Sequence, residues 1–282
     1  GRLDATNVVD RPRLTVITPV SFDHQQFLGE TLPEIAGEKA GILKAGVTGI
    51  VGRQEAEAED VIAERANALA APLAIADRDW QVWEEHGRLA FQDQSGLLDL
   101  PAPRLPGAHQ VQNAGVALAA LRALGADEAA CRAAVSNTEW PARLQRLRKG
   151  PLVEAAQEHA CEIWLDGGHN PAAGVALSEA MARMGPRPLW LVCGMLRSKD
   201  AVGFLQPFAG LAEGLRAVEI PGESATFPAA ETAAAARRAG LSVAVAANLP
   251  AAVREIASLR PGARILFCGS LYLAGRVLRE NG

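Results

Sequence analysis

The sequence predicts an α/β protein, and two observations carry that prediction. From about residue 140 onward, strand-like runs at residues 162–165, 189–193, 215–220, 242–245 and 264–268 are each followed by a helical run, beginning near Pro171, Asp200, Pro228, Leu249 and Leu271. Repeated βα units with apolar strands imply a parallel sheet covered by helices on both faces. Before residue 140 the texture is a less regular mixture of strands, helices and a hairpin. Two domains are therefore expected, residues 1–139 and 140–282, in keeping with the usual domain size of about 100–200 residues.

The elements of the first part follow in order. Residues 14–18 form the first strand-like run. Residues 31–44 read as a helix in which Leu32, Ile35, Ala36, Lys39, Ile42 and Leu43 share one face at i, i+3, i+4 spacing. Residues 49–52 and 73–76 read as short strands on either side of an alanine- and glutamate-rich helix at 56–71. Residues 80–83 and 88–91 flank Glu85-His86-Gly87, the pattern of a β-hairpin. Pro101, Pro103 and Pro106 then interrupt regular structure, residues 108–124 resume as a helix ending at Gly125, and Asp127 starts another that runs to about Val135.

Composition narrows the partners. With 49% hydrophobic residues the chain can bury sizeable cores, while a formal net charge of −4 and a pI near 5.8 supply no global basic field for nucleic acid. Small-molecule ligands are expected, with neither nucleic acid nor membrane as partner. No apolar run approaches the roughly 18 residues of a membrane span, and Gly1-Arg2-Leu3-Asp4 has no apolar signal core. Cys131, Cys161, Cys193 and Cys268 lie far apart without a C-x-x-C pair, and three of them lie in or beside apolar runs, where the usual role is a small buried hydrophobe. A reducing, cytoplasmic location is the expectation.

The stretch Asp166-Gly167-Gly168-His169-Asn170-Pro171 carries the most chemistry. It delivers an acid, an imidazole and an amide to one strand end, just where Pro171 opens a helix, and ligands of open α/β sheets bind outside the carboxyl ends of the strands. Asn170 also fits as the N-cap of that helix. Asp23-His24 places a second imidazole after the first strand, where a solvated loop histidine is the plain alternative. Lys39 falls inside the apolar stripe of its helix. Either it snorkels or pairs with Glu38, or burial lowers its pKa so that the neutral amine can be covalently modified.

Gly1-Arg2-Leu3-Asp4-Ala5-Thr6-Asn7, Asp23-His24 with Phe27-Leu28-Gly29, Glu38-Lys39-Ala40-Gly41-Ile42, Arg143-Leu144-Gln145 and Asp166 to Pro171 occur in this order along nearly the whole chain. Together they resemble the folylpolyglutamate synthase/dihydrofolate synthase family of the Mur ligase superfamily. The resemblance implies an ATP-dependent, magnesium-assisted amide ligase that activates a carboxylate of dihydropteroate or a folate as an acyl phosphate, which the amino group of L-glutamate then attacks. Phosphate is a far better leaving group than carboxylate oxygen, so one hard condensation becomes two feasible steps. The implied architecture is the C-terminal part of a Mur-ligase central ATPase domain followed by a Rossmann-like ligase domain, and the family habit is a monomer.

Carried over position by position, the resemblance makes His24 a Mg2+ ligand and Lys39 a carbamylated lysine whose new carboxylate serves the same metal. Asn113 would contact adenine, with helix capping or simple exposure as its alternative. Arg143 would meet phosphate oxygens through its planar donor fork, or else form an interdomain salt bridge. Asp166 would contact the ribose or adjacent nucleotide atoms, and His169 would act beside the γ-phosphate and the reacting carboxylate. Independently of the resemblance, Lys199 and Ser270 stand at two further strand ends facing the same crevice and are candidate contacts for glutamate or the acyl phosphate, with solvated loops as the plain alternative.

The sequence also departs from the family. No G-x-x-G-K-[ST]-like phosphate loop occurs in the 282 residues; Gly37-Glu38-Lys39-Ala40-Gly41 is no substitute, because its lysine sits between the glycines and no Ser or Thr follows. The family's metal-binding glutamate is also missing from its place before Gly1. The expectation is a back portion of the enzyme that is inactive alone. Two other readings share the motifs: a non-catalytic nucleotide-binding protein derived from such a ligase, and a Mur ligase of cell-wall precursors. Ala142 and Gly168 stand where the family often has glycine and alanine.

Overall fold

The computed structural model describes all 282 residues except the side chain of Gln26. The chain divides into two compact units, Gly1–Glu139 and Trp140–Gly282.

The first unit is built on a three-stranded parallel sheet, β1 (Thr15–Ile17), β2 (Gly49–Val51) and β3 (Leu73–Ile75), in that order. A short α1 (Gln25–Leu28) and then α2 (Leu32–Ala40) join β1 to β2, and α3 (Ala56–Ala68) joins β2 to β3. Thr31 starts α2 with a reciprocal cap: its hydroxyl accepts from the Glu34 N–H, and the Glu34 carboxylate accepts from the Thr31 N–H. Leu32, Ile35, Ala36 and Ala40 of α2 join Ala58, Ile62 and Ala66 of α3 in one core on one face of the sheet. On the other face, Ile50 joins a core formed with β4 (Gln81–Glu85), β5 (Arg88–Asp93), β6 (Gly96–Pro101), α4 (Ala108–Ala123) and α5 (Glu128–Asn137). The expected hairpin is therefore the first two strands of a three-stranded antiparallel sheet, in which Trp80 and Phe91 stack at 6.0 Å.

The helix at residues 31–44 is a correction: it stops at Ala40, and Gly41 caps it. Lys39 sits in its last turn and is exposed, which fits the snorkelling alternative and not a buried neutral amine. The rest of the stripe is real, with Leu32, Ile35, Ala36 and Leu43 buried, while beside Lys39 the segment from Gly1 runs past, its Arg2 N–H donating to the Glu38 carbonyl at 2.7 Å.

The second unit is a six-stranded sheet with order β11-β10-β9-β12-β8-β7. In chain order it runs β7 (Gln145–Leu147), α6 (Pro151–Gln157), β8 (Glu162–Leu165), α7 (Pro171–Arg183), β9 (Leu189–Cys193), α8 (Ala201–Leu205), β10 (Ala212–Ala217), α9 (Ala229–Arg238), β11 (Val243–Val245), α10 (Leu249–Leu259), β12 (Arg264–Cys268) and α11 (Leu271–Glu280). All pairs are parallel except β7 with β8. Residues of α7, α8 and α9 fill a core on one face, and residues of α6, α10 and α11 fill another on the opposite face. The last strand, β12, inserts between β8 and β9, so the winding direction reverses there. Such a reversal leaves a crevice at the carboxyl ends of the neighbouring strands.

The strand expected at 215–220 lies at Ala212–Ala217; Val218 and Ile220 are buried, but as loop residues over the core. All four cysteines are free and buried. Cys193 and Cys268 are register partners on neighbouring strands, and the adjacent Cys193 thiol together with burial holds the Cys268 thiol well above its ordinary range, which leaves it an inert hydrophobe.

Candidate active site

The loop after β8 is fixed by backbone hydrogen bonds on both sides. The Asp166 N–H donates to the Phe267 carbonyl of β12, the Gly167 N–H to the Ala142 carbonyl, and the Gly269 N–H to the Gly168 carbonyl, each at 2.9 Å. The close approach requires glycine at two places: a Cβ on Gly167 would lie 2.3 Å from Leu271 Cδ2, and one on Gly269, where φ is +104°, would lie 2.8 Å from Cys193 Sγ. The carboxyl ends of β8, β9 and β12 thereby meet, and they carry His169, the segment leading to Lys199, and Ser270.

His169 is half-buried, with Nδ1 2.9 Å from the Gly167 carbonyl oxygen. A carbonyl only accepts, so Nδ1 carries a proton and donates it there. Asn170 caps α7 by accepting from the Ala173 N–H at 2.9 Å, as its position before Pro171 requires. Ser270 is 3% exposed and its hydroxyl accepts from the Tyr272 N–H, so it caps α11. Lys199 is half-buried in the loop after β9, and this loop is tied to the one after β10: the Thr226 hydroxyl donates to the Met195 carbonyl at 3.0 Å, and the Arg197 N–H donates to the Ala225 carbonyl at 2.8 Å.

Asp166 is 5% exposed, and its two carboxylate oxygens accept from the backbone N–H groups of Leu144 at 2.7 Å and Gly168 at 2.6 Å. Those contacts place it under the turn that bears Arg143, which is half-buried and, among the described residues of this unit, pairs with no carboxylate. The sequence did not show this support, nor the role of Gln145 within its motif: its Oε1 accepts from the Ala142 N–H at 2.9 Å.

In the first unit, Asn113 lines a largely apolar cleft of about 150 Å³ between α4 and α5. Its amide donates to Gln110 Oε1 at 3.0 Å, and Gln110 Nε2 lies 3.0 Å from His109 Nε2. A flat heterocycle with donors and acceptors on its edge matches an apolar slot with two amides at one wall. Gln110 was also missed, although an amide pair at i, i+3 on one helix face is its signature.

His24 begins α1 in the left-handed region (φ 53°), with its N–H donated to Asp23 Oδ1 at 2.8 Å and its Nε2 3.8 Å from Asp23 Oδ2. Among the described residues, no group of three or more His, Cys, Asp or Glu side chains could hold a metal. Magnesium asks for near-octahedral, oxygen-rich coordination, so the Asp23–His24 pair alone does not make its site.

The profile of the Mur ligase glutamate ligase domain matches residues 151–271. The folylpolyglutamate synthase of Lacticaseibacillus casei is 29% identical over 98% of this chain and 64% of its own length, and the dihydrofolate synthase/folylpolyglutamate synthase of Mycobacterium tuberculosis is 35% identical over 73% of this chain and 44% of its own. Among solved structures, Mycobacterium tuberculosis folylpolyglutamate synthase complexed with ADP and AMPPCP superposes with a TM-score of 0.85 at 30% identity, covering 100% of this chain and 66% of that one. The chain belongs to the folylpolyglutamate/dihydrofolate synthase family of the Mur ligases. A second family member, Escherichia coli FolC in complex with DHPP and ADP, aligns with the same TM-score of 0.85 at 28% identity over 99% of this chain and 63% of that one. The chain thus spans no more than about two thirds of these relatives. No helix among the described residues is long and apolar enough to cross a membrane.

Proposed function

We propose that this chain carries the nucleotide-contacting and glutamate-adding parts of an ATP-dependent ligase that joins L-glutamate to dihydropteroate or folates. The observation behind it is the meeting of the β8, β9 and β12 ends, with His169, Lys199 and Ser270, at the winding reversal of a glutamate-ligase domain. ADP, AMPPCP and DHPP, which its solved relatives bind, are the chemistry such a site would serve.

ATP, when bound with Mg2+, supplies the phosphoryl group that converts the carboxylate into an acyl phosphate. Asn113 and Gln110 fit the base, and Arg143 offers a fork of donors to phosphate oxygens. His169, its Nδ1 held by the Gly167 carbonyl, is placed to take the proton that the attacking glutamate amine sheds as the C–N bond forms and phosphate departs. Lys199 provides charge for the glutamate carboxylates, and Ser270 fixes the start of α11 beside them. His24, with Lys39 if it is carbamylated, would contribute to the metal, and no step is assigned to that ion. The proposed setting is cytoplasmic and monomeric.

The test is glutamate-dependent ADP release with dihydropteroate, in a protein that carries these residues together with a phosphate-binding loop. His169→Ala is expected to lower kcat by about 100-fold or more while ATP affinity stays within about threefold; near-wild-type turnover removes the assignment. The 282 residues alone contain no phosphate loop, and the isolated chain is proposed to give no turnover. ADP release by it would contradict that.

A further inference from the structure

We infer that Asp166 is a positioning residue, whose carboxylate holds the Arg143 turn in a conformation it would not otherwise keep. Arg143 stands between two residues with left-handed backbone, Ala142 at φ +56° and Leu144 at φ +42°. Neither is glycine, and a left-handed backbone is unfavourable for any residue that carries a Cβ. Strain of this kind persists only where surrounding contacts dictate it. Here there are three: the Gln145 side chain on the Ala142 N–H, the Gly167 N–H on the Ala142 carbonyl, and Asp166 Oδ2 on the Leu144 N–H. Only the last is made by a charged group, it is buried, and its other oxygen grips the Gly168 N–H one residue before His169. One carboxylate therefore spaces the Arg143 turn against the His169 loop.

The clamp depends on the proposed ligase only for what Arg143 grips. It differs from a direct ribose contact in what it asks of the side chain. Both carboxylate oxygens face N–H donors, so the isosteric Asp166→Asn must set an amide NH2 against a donor, whichever way it flips. A hydroxyl-contacting carboxylate tolerates asparagine far better, because a hydroxyl both donates and accepts.

Amide hydrogen exchange and 15N relaxation of the 282-residue chain test the clamp without nucleotide. In Asp166→Asn, the Leu144 amide is expected to lose protection by about tenfold or more, and the Arg143 Nε–H to become more mobile, while the interior amides of β12 stay within about twofold. A second variant relieves the strain instead: Ala142→Gly in the Asp166→Asn background should recover part of the Leu144 protection. Unchanged Leu144 protection in Asp166→Asn, or a uniform loss across β8 and β12, overturns the inference. Should the clamp hold while Arg143→Ala leaves ATP affinity of the loop-containing enzyme unchanged, the ligase role of Arg143 fails and the positioning role stands.

Discussion

A positive φ at a non-glycine residue is a local cost that the rest of the structure must offset, and Ala142 is the clearest case. Its side chain is a single buried methyl, so glycine removes little packing and relieves the backbone. Ala142→Gly in the otherwise unaltered chain is expected to raise stability by about 0.5–1 kcal/mol in urea unfolding; a lower midpoint would show that the methyl matters more than the strain. Other residues of the site were readable because their chemistry depends on place in the chain: an acid, a histidine and an asparagine between a strand and a helix-opening proline have few places to be. Lys39 takes the exposed one of its two readings for a physical reason. Periodicity reports the side of a helix on which a residue stands, not whether anything covers that side, and α2 ends one residue later. The motif around Asp166 suggests a ligand contact, whereas two of its partners are backbone N–H groups, one of them in a turn 22 positions earlier, which no side-chain pattern announces.

The elements legible in the sequence are those with long apolar periodicity or strong caps, such as β9, β12 and α10. Those it hides, β6, β7 and α6, are short or lean on distant partners. The start of α6 shows why. Its N-cap is Gly150, which offers no side chain, and the cap comes from Asn281: Oδ1 accepts from the Leu152 N–H at 3.0 Å, and Nδ2 donates to the Lys149 carbonyl at 2.6 Å. Asn281 is 8% exposed at the end of α11, so one amide joins the two helices on that face of the sheet. Removing it strands a buried donor and a carbonyl. Asn281→Ala is expected to cost about 2 kcal/mol, a loss read from the denaturant midpoint at constant m; a change below about 0.5 kcal/mol would mean that water replaces both bonds.

At the scale of the whole second unit, the two faces of the sheet hold separate cores, and the sheet between them is locked at the ends opposite the crevice by charge. The Arg264 guanidinium, 6% exposed, donates to Glu162 at 2.6 Å and to the Met184 carbonyl at 3.1 Å, while Arg146 approaches the other Glu162 oxygen at 3.2 Å. One ion cluster thus joins β7, β8, β12 and the end of α7, leaving the crevice end of the same strands to loops. Burial raises the Glu162 carboxyl, but the hydrogen bond and charge of Arg264, with that of Arg146, outweigh it and hold the group below its ordinary value of 4.5. A carboxyl with a depressed native pKa adds stability that is fully present above its unfolded value and is lost as pH falls through the native one. The second unit should therefore keep a constant contribution from this cluster above about pH 5 and lose it progressively below about pH 4.5. Glu162→Ala leaves Arg264 buried without its partner, and is expected to cost about 3 kcal/mol near neutral pH while flattening the acid limb of the stability profile. Guanidinium unfolding at several pH values, followed through Trp164 and Trp190 of this unit, reads both effects. If the variant shows the same acid dependence as the parent, another carboxylate carries it, and the cluster does not lock the sheet.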